Sequence, residues 1–239
     1  IYEEVVQERN FATSQGVALA ERSTRYRLSG AVAAPGEDVA GAGHHTIRGS
    51  ITSRNFAEVA SKPLGVQLVR RAVALRTRAK LPDQPVPIAI SQRVIADILP
   101  RIAKGFRGER VQHERSFVGR WRERAKLGGN LHIVDDASLH GGYATRSFDD
   151  RGVPSIPVNL LREGEIGGLY QGIAAAQATQ SRPSGHETWD GGFWMGNLVV
   201  RPGNRSRNMI FAELGPLVLV DDVVDARAID AETGAIDLL

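Results

Sequence analysis

The chain of 239 residues contains no cysteine. That excludes disulfides, thiolate metal ligands and a cysteine nucleophile, and it fits a reducing compartment, so a cytoplasmic location is expected. Lysine is nearly missing as well: Lys62, Lys80, Lys104 and Lys126 are four of the 30 basic residues, and the other 26 are arginine. These arginines are interleaved with 27 acids, leaving a net charge of +3. Without a basic stripe carrying interleaved aromatics, nucleic acid is not an expected partner. No apolar run approaches the ~18 residues of a membrane span, and Ile1-Tyr2-Glu3-Glu4 is unlike a signal peptide, so no membrane partner is expected either. An initiator Met is also absent, and the chain is expected to be a processed product or part of a longer polypeptide.

Motifs for common catalytic machinery are missing too. There is no Gly-x-Ser-x-Gly elbow and no Walker loop, and Gly41-Ala42-Gly43 lacks the third glycine of a dinucleotide site. What remains is an ordinary globular composition, 42% hydrophobic. Alternating apolar positions predict a hairpin of Glu4–Thr13 with Val17–Ala31, and a Gly/Ala/His loop follows at Gly41–His45. Leu64, Leu68, Val69, Ala72, Val73 and Arg76 are read as one side of a helix over Leu64–Arg78. Leu81–Pro87 is a stiff connector and marks the domain boundary. Beyond it come a strand at Val86–Ile90, an N-cap at Ser91 and a helical stripe from Val94 to Phe106, with Pro100 expected to kink or split it. A further helix is predicted over Arg115–Lys126, and another over Gly172–Gln180. Strands are predicted at Leu131–Val134, Ser155–Leu161, Glu165–Tyr170, Asn197–Arg201 and Leu217–Val224. The fold class is α+β: a mixed α/β portion over 1–84, then a mainly antiparallel β domain over 85–239.

Six histidines invite a metal search. His44-His45 are adjacent in a glycine loop, and His113-Glu114 lacks the second histidine of a zincin helix. The densest set is His132, Asp135, Asp136 and His140. Strand alternation puts His132 on one face with Asp136 and away from Asp135, so the set is either a mixed metal site of His132, Asp136 and His140 or an Asp-Asp turn with half-exposed histidines. His186 and Trp189 lie in a polar, glycine-rich loop of the kind that lines binding sites, and they are the substrate-cavity candidates. Phe148-Asp149-Asp150-Arg151-Gly152-Val153-Pro154 offers paired carboxylates, yet no histidine sits at a workable spacing around them. A turn that sets the next strands, with Gly152 and Pro154 serving the backbone, fits better.

Read in order, Ser116-Phe117, Ile133-Val134-Asp135-Asp136, Gly141-Gly142, the Phe148–Pro154 segment, Leu161-x-x-Gly164-x-Ile166-x-x-Leu169-Tyr170, Gly196-Asn197-Leu198, Pro202-Gly203 and Thr233-Gly234 resemble the TldD/PmbA family of modulator-of-gyrase proteins. The resemblance implies a barrel-like C-terminal domain, dimers enclosing a proteolytic chamber, and residues 1–84 as the later part of an N-terminal domain. It also implies that the chain stops before the family's last strands. The family's catalytic branch holds zinc with His-Glu-x-x-x-His on the helix that starts this domain, plus a late cysteine. Here that helix reads Pro100-Arg101-Ile102-Ala103-Lys104-Gly105, and no histidine lies between His45 and His113. The chain therefore resembles the TldE/PmbA-like subunit, with no catalytic residue and no cofactor of its own. Its implied partner is a TldD-like chain that carries zinc, and its implied substrates are peptides or modified peptides. Two other functions are carried beside it: a hydrolase in a natural-product pathway using His132, Asp136, His140 or His186, and a plain binding or scaffold module. Arg120–Lys126 is a modest interface candidate against a solvated helix face.

Overall fold

The computed structural model describes residues 1–35, 44–74, 80, 83–122, 128–221, 226–230 and 232–238. The chain divides into two compact units, one of residues 1–83 with 140–143 and one of residues 84–139 with 144–239.

In the first unit, β1 (Tyr2–Ala12), β2 (Ala18–Pro35) and β3 (His44–Ser53) form an antiparallel sheet in that order. The predicted hairpin is present, with Gly16 at φ +87° in its turn. α1 (Phe56–Ala60) is capped by the Asn55 side chain, and Phe56 meets the edges of the Tyr2 and Tyr26 rings. α2 (Leu64–Ala74) lays Leu64, Leu68 and Ala72 against Ile47 of the sheet, whereas Val69 and Val73, expected on the same side, are exposed, because at about 100° per residue they fall roughly 140° and 180° round the helix from Leu64. Arg76 and the rest of the predicted helix lie outside the described residues. Gly30 and Gly49 pair across β2 and β3, and a Cβ on either would come within 3.2 and 3.0 Å of the Leu68 methyls. Two opposed glycines thus make a dent in the sheet that seats one leucine. Gly41–Gly43 of the predicted loop are outside the described residues, whereas His44 and His45 open β3.

In the second unit β4 (Ile88–Ile90) leads to α3 (Gln92–Ala103), whose N-terminus is capped by the Ser91 hydroxyl. The helix is not split at Pro100. The missing N–H removes one bond near the C-terminal end, while Val94, Ile98, Leu99 and Ala103 are buried along one side and hold the helix to its last turn. A 3-10 turn at Lys104–Phe106 and α4 (Gly108–Gln112) follow. α5 (Phe117–Arg122) covers part of the predicted Arg115–Lys126 helix, and 123–126 are outside the described residues.

β5 (Ile133–Asp135), β6 (Val158–Arg162), β7 (Glu165–Ile166), α6 (Ile173–Ala178), β8 (Leu198–Val200), α7 (Arg207–Leu214), β9 (Val218–Val220), β10 (Ala226–Ile229) and β11 (Ile236–Leu238) complete the unit. β7-β6-β5-β8 form an antiparallel sheet, β10-β11 an antiparallel pair and β4-β9 a parallel pair. Among the described residues these sheets are open and form no closed barrel. The predicted strand at Glu165–Tyr170 is only two residues long. Beyond it Gly167 and Gly168 still donate their amides to the Leu160 and Asn159 carbonyls of β6, and a Cβ on Gly167 would meet the Asn159 carbonyl oxygen at 2.5 Å, so regular strand geometry stops at Ile166 while the chain stays close. Leu99, Ala103, Phe106, Phe117, Val118, Ile133, Leu160 and Tyr170 make the core.

Candidate functional site

Alternation along β5 puts Ile133 and Asp135 on the same buried face, so a carboxylate is built into the core. Asp135 Oδ2 accepts from the Tyr170 hydroxyl at 2.7 Å and from the Gly196 amide at 2.9 Å. His186 is completely buried beside it, and its Nδ1 lies 2.8 Å from the Ser184 carbonyl. A carbonyl can only accept, so Nδ1 carries the proton and Nε2 of the neutral ring is a lone pair, 3.9 Å from Asp135 Oδ2. Burial pushes the His186 pKa down, against the pull of Asp135. Burial likewise raises the Asp135 carboxyl, although Tyr170, His186 and Gly196 favour its charge, and it raises the Tyr170 phenol. Among the described residues Asp135 Oδ1, His186 Nε2 and Trp194 Nε1 have no hydrogen-bond partner. The imidazole stacks on Trp194, ring centroids 5.0 Å apart, and the Arg146 guanidinium lies over the same indole at 4.7 Å from its centroid.

Tyr170 connects this buried cluster to a cavity of about 600 Å³ at the C-terminal end of α3. Its amide donates to the Phe106 carbonyl and its carbonyl accepts from Gly108, which fixes the chain just after α3 against the tyrosine. Arg101, Lys104, Arg107 and Arg110 line the cavity together with Phe193 and Met195. Arg107 is held in place: it donates to the Gly191 carbonyl at 2.9 Å and lies 4.8 Å from the Phe193 ring centroid. Asp230, the one carboxylate in the lining among the described residues, accepts from the Glu232 amide and the Thr233 hydroxyl, which hold its pKa down. Zinc requires imidazole, thiolate or several carboxylate ligands. A lining of three guanidinium groups and one ammonium does not fit it.

The residues singled out in the sequence are distributed differently. Asp136 Oδ1 accepts from the Ser138 amide and hydroxyl in a tight turn, and His132 is half-buried, with its carbonyl accepting from Arg201. His140 is exposed and belongs with the first unit. Among the described residues no three His, Asp or Glu side chains are grouped to hold a metal ion. Trp189 is 69% exposed, with Arg151 at 5.3 Å from its ring centroid, while His186 on the same loop faces the core. Asp149 is 1% exposed and gathers three backbone amides, those of Arg151, Val153 and Glu187. Gly152 has φ +77°, and Phe148 pairs with Pro154, so the segment is a turn. Asp135 belongs to the densest His/Asp set of the sequence but is set aside there by strand alternation, Tyr170 enters only as part of a family motif, and Arg107 is not singled out. The available signal was an acid on the inward face of a strand that begins with Ile133.

The profile of the PmbA/TldA metallopeptidase C-terminal domain matches residues 83–238, and that of the family's central domain matches residues 1–76. Among curated proteins none matches. A candidate modulator of DNA gyrase from Bacteroides thetaiotaomicron superposes with a TM-score of 0.79 at 17% identity, over 98% of this chain and 51% of that one. Its counterpart from Thermotoga maritima gives 0.78 at 19% identity, over 93% of this chain and 50% of that one. TldE from Thermococcus kodakarensis gives 0.74 at 17% identity, over 96% of this chain and 56% of that one. The chain thus spans about half the length of the solved structures it matches.

Proposed function

Because the chain belongs to the PmbA/TldA metallopeptidase family, we propose that it is the subunit without a metal centre in a two-chain peptidase. Its partner would be a TldD-like chain that carries zinc, and the pair would process peptides or modified peptides in the cytoplasm. The observation that carries this is the lining at the end of α3. Where the resemblance puts the catalytic branch's first histidine, glutamate and second histidine, this chain carries Pro100, Arg101 and Gly105, and Arg101 lines the cavity together with Lys104. Cations there repel a divalent ion and cannot take a proton from water at neutral pH. Zinc chemistry would then be supplied by the partner, and this subunit would contribute walls and charge.

A hydrolase acting alone has less support. His186, the histidine nearest a carboxylate, is enclosed with its Nδ1 committed to Ser184, and Asp136 is committed to Ser138. Co-expression with a zinc-motif partner, followed by size-exclusion chromatography and metal analysis, tests the proposal. One zinc per pair, located in the partner, is the expected result. Stoichiometric zinc in this subunit purified alone, or peptidase activity without the partner, overturns it.

A further inference from the structure

The cavity at the end of α3 contains more positive charge than its own surroundings neutralise. Among the described residues Arg101, Lys104 and Arg110 have no ion-pair partner, while Arg107 pairs with Glu109 at 3.5 Å and also lies near enough to Asp190 to favour its charge. Arg107 Nε is buried without a hydrogen-bond partner. Asp230, the acid in the lining, spends both its oxygens on its own turn. The remaining surface, Ala103, Tyr170, Phe193 and Met195, is mostly apolar. A rim of cations around an apolar floor, in a volume within the usual range of ligand pockets, is complementary to a small amphipathic anion.

We infer that this cavity binds the C-terminal carboxylate of a peptide, the charge held by Arg101, Lys104 and Arg107 and the last apolar side chain resting on Phe193 and Met195. Arg107 is the best-ordered of the three, because Gly191 and Phe193 fix its guanidinium before any ligand arrives. The choice of a peptide rests on the proposed role in a peptidase complex, while the choice of an anion rests on the lining alone. A carboxylate anchor in the metal-free subunit would retain cleaved or cleavable chain ends within the assembly.

The test is calorimetric titration of the natural full-length protein, without its partner, with a short peptide ending in phenylalanine. The free acid is compared with the same peptide amidated, and with inorganic phosphate. The free acid is expected to bind about tenfold or more tightly than the amide. The preference should disappear in Lys104→Glu and in the double variant R101Q/K104Q, with unchanged melting temperatures. Equal affinity for acid and amide, or a preference that survives both variants, overturns the inference. Phosphate that binds as tightly as the peptide acid also overturns it, by removing the peptide from the recognition. No outcome depends on zinc or on assembly, so failure here and failure of the two-chain reading are distinguishable.

Discussion

The phenol of Tyr170 donates to the carboxylate of Asp135 across 2.7 Å, with both side chains at 1% exposure or less. Tyr170 therefore supports the buried acid on one side while lining the cavity with the other. Replacing Tyr170 by Phe removes a donor to a buried acid and is expected to cost about 2 kcal/mol of stability. Urea unfolding of the variant measures it. A loss below about 0.5 kcal/mol would mean that this hydrogen bond contributes little to the core.

Gly196 is in van der Waals contact with the same carboxylate. A Cβ there would meet Asp135 Oδ1 at 2.5 Å and the Ala137 backbone at 2.9 Å. Gly196→Ala is expected to destabilise by about 2 kcal/mol, since neither neighbour is the end of a flexible chain. Thermal unfolding beside Gly203→Ala, a position with open space around it, is the control. Equal melting temperatures for the two variants would contradict the close approach.

His186 gives the stability a pH dependence whose sign follows from its burial. Its folded pKa is lowered below the ordinary 6.5, so the unfolded chain binds the proton more readily. Stability from this group is fully present above pH 6.5 and declines as the pH falls from there toward the folded value. Asp135 acts oppositely: its raised pKa means that protonation relieves a buried charge, so its contribution to stability grows as the pH falls from its folded value toward the ordinary 3.8. Denaturant midpoints between pH 7.5 and 5.5 should fall for the natural protein. In His186→Phe, which keeps the stack on Trp194, that part of the slope should vanish. A slope of the same size in both would assign the effect to other groups.

Leu68 fills the dent left by Gly30 and Gly49, and it is 2% exposed. Leu68→Ala is expected to cost about 3 kcal/mol, near the middle of the range for buried leucines. A midpoint shift in chemical denaturation checks this. Restoring volume with Gly49→Ala in the Leu68→Ala background should recover part of the loss, because the methyl would point into the space vacated. Additive losses would show that the two sites do not share that space.

The parts of the fold visible in the sequence are those with strong local periodicity. The hairpin of β1 and β2 alternates over many residues, and α3 has an N-cap and an uninterrupted apolar stripe. β3 was not legible, because with only Ile47 and Ile51 as apolar markers it depends on pairing with β2. α7 gives a similarly weak signal: its burial pattern has no buried residue. At the site, Arg101 and Lys104 were noticed for lacking metal-binding groups. Their convergence with Arg107 and Arg110 on one cavity required the 3-10 turn that redirects the chain after α3. Asp135 stands in the densest His/Asp set but is set aside because strand alternation pairs His132 with Asp136, whereas its partner His186 lies far away in sequence.

The turn at Asp149 reaches beyond its own seven residues. Through Oδ2 it holds the Glu187 amide, and Asp150 donates its amide to the Glu187 carbonyl. Ile156 and Ser155 donate to Ser184 and Gly185, and Trp194 donates to His186. The loop that carries His186, Arg107's acceptor Gly191 and Phe193 is thereby sewn to the turn along most of its length. Segments joined in this way exchange their amide hydrogens as one cooperative unit. The cavity wall and the acid-histidine core should open together, with shared protection at Glu187, Ile156 and Trp194. Removing the Asp149 carboxylate should release all three at once.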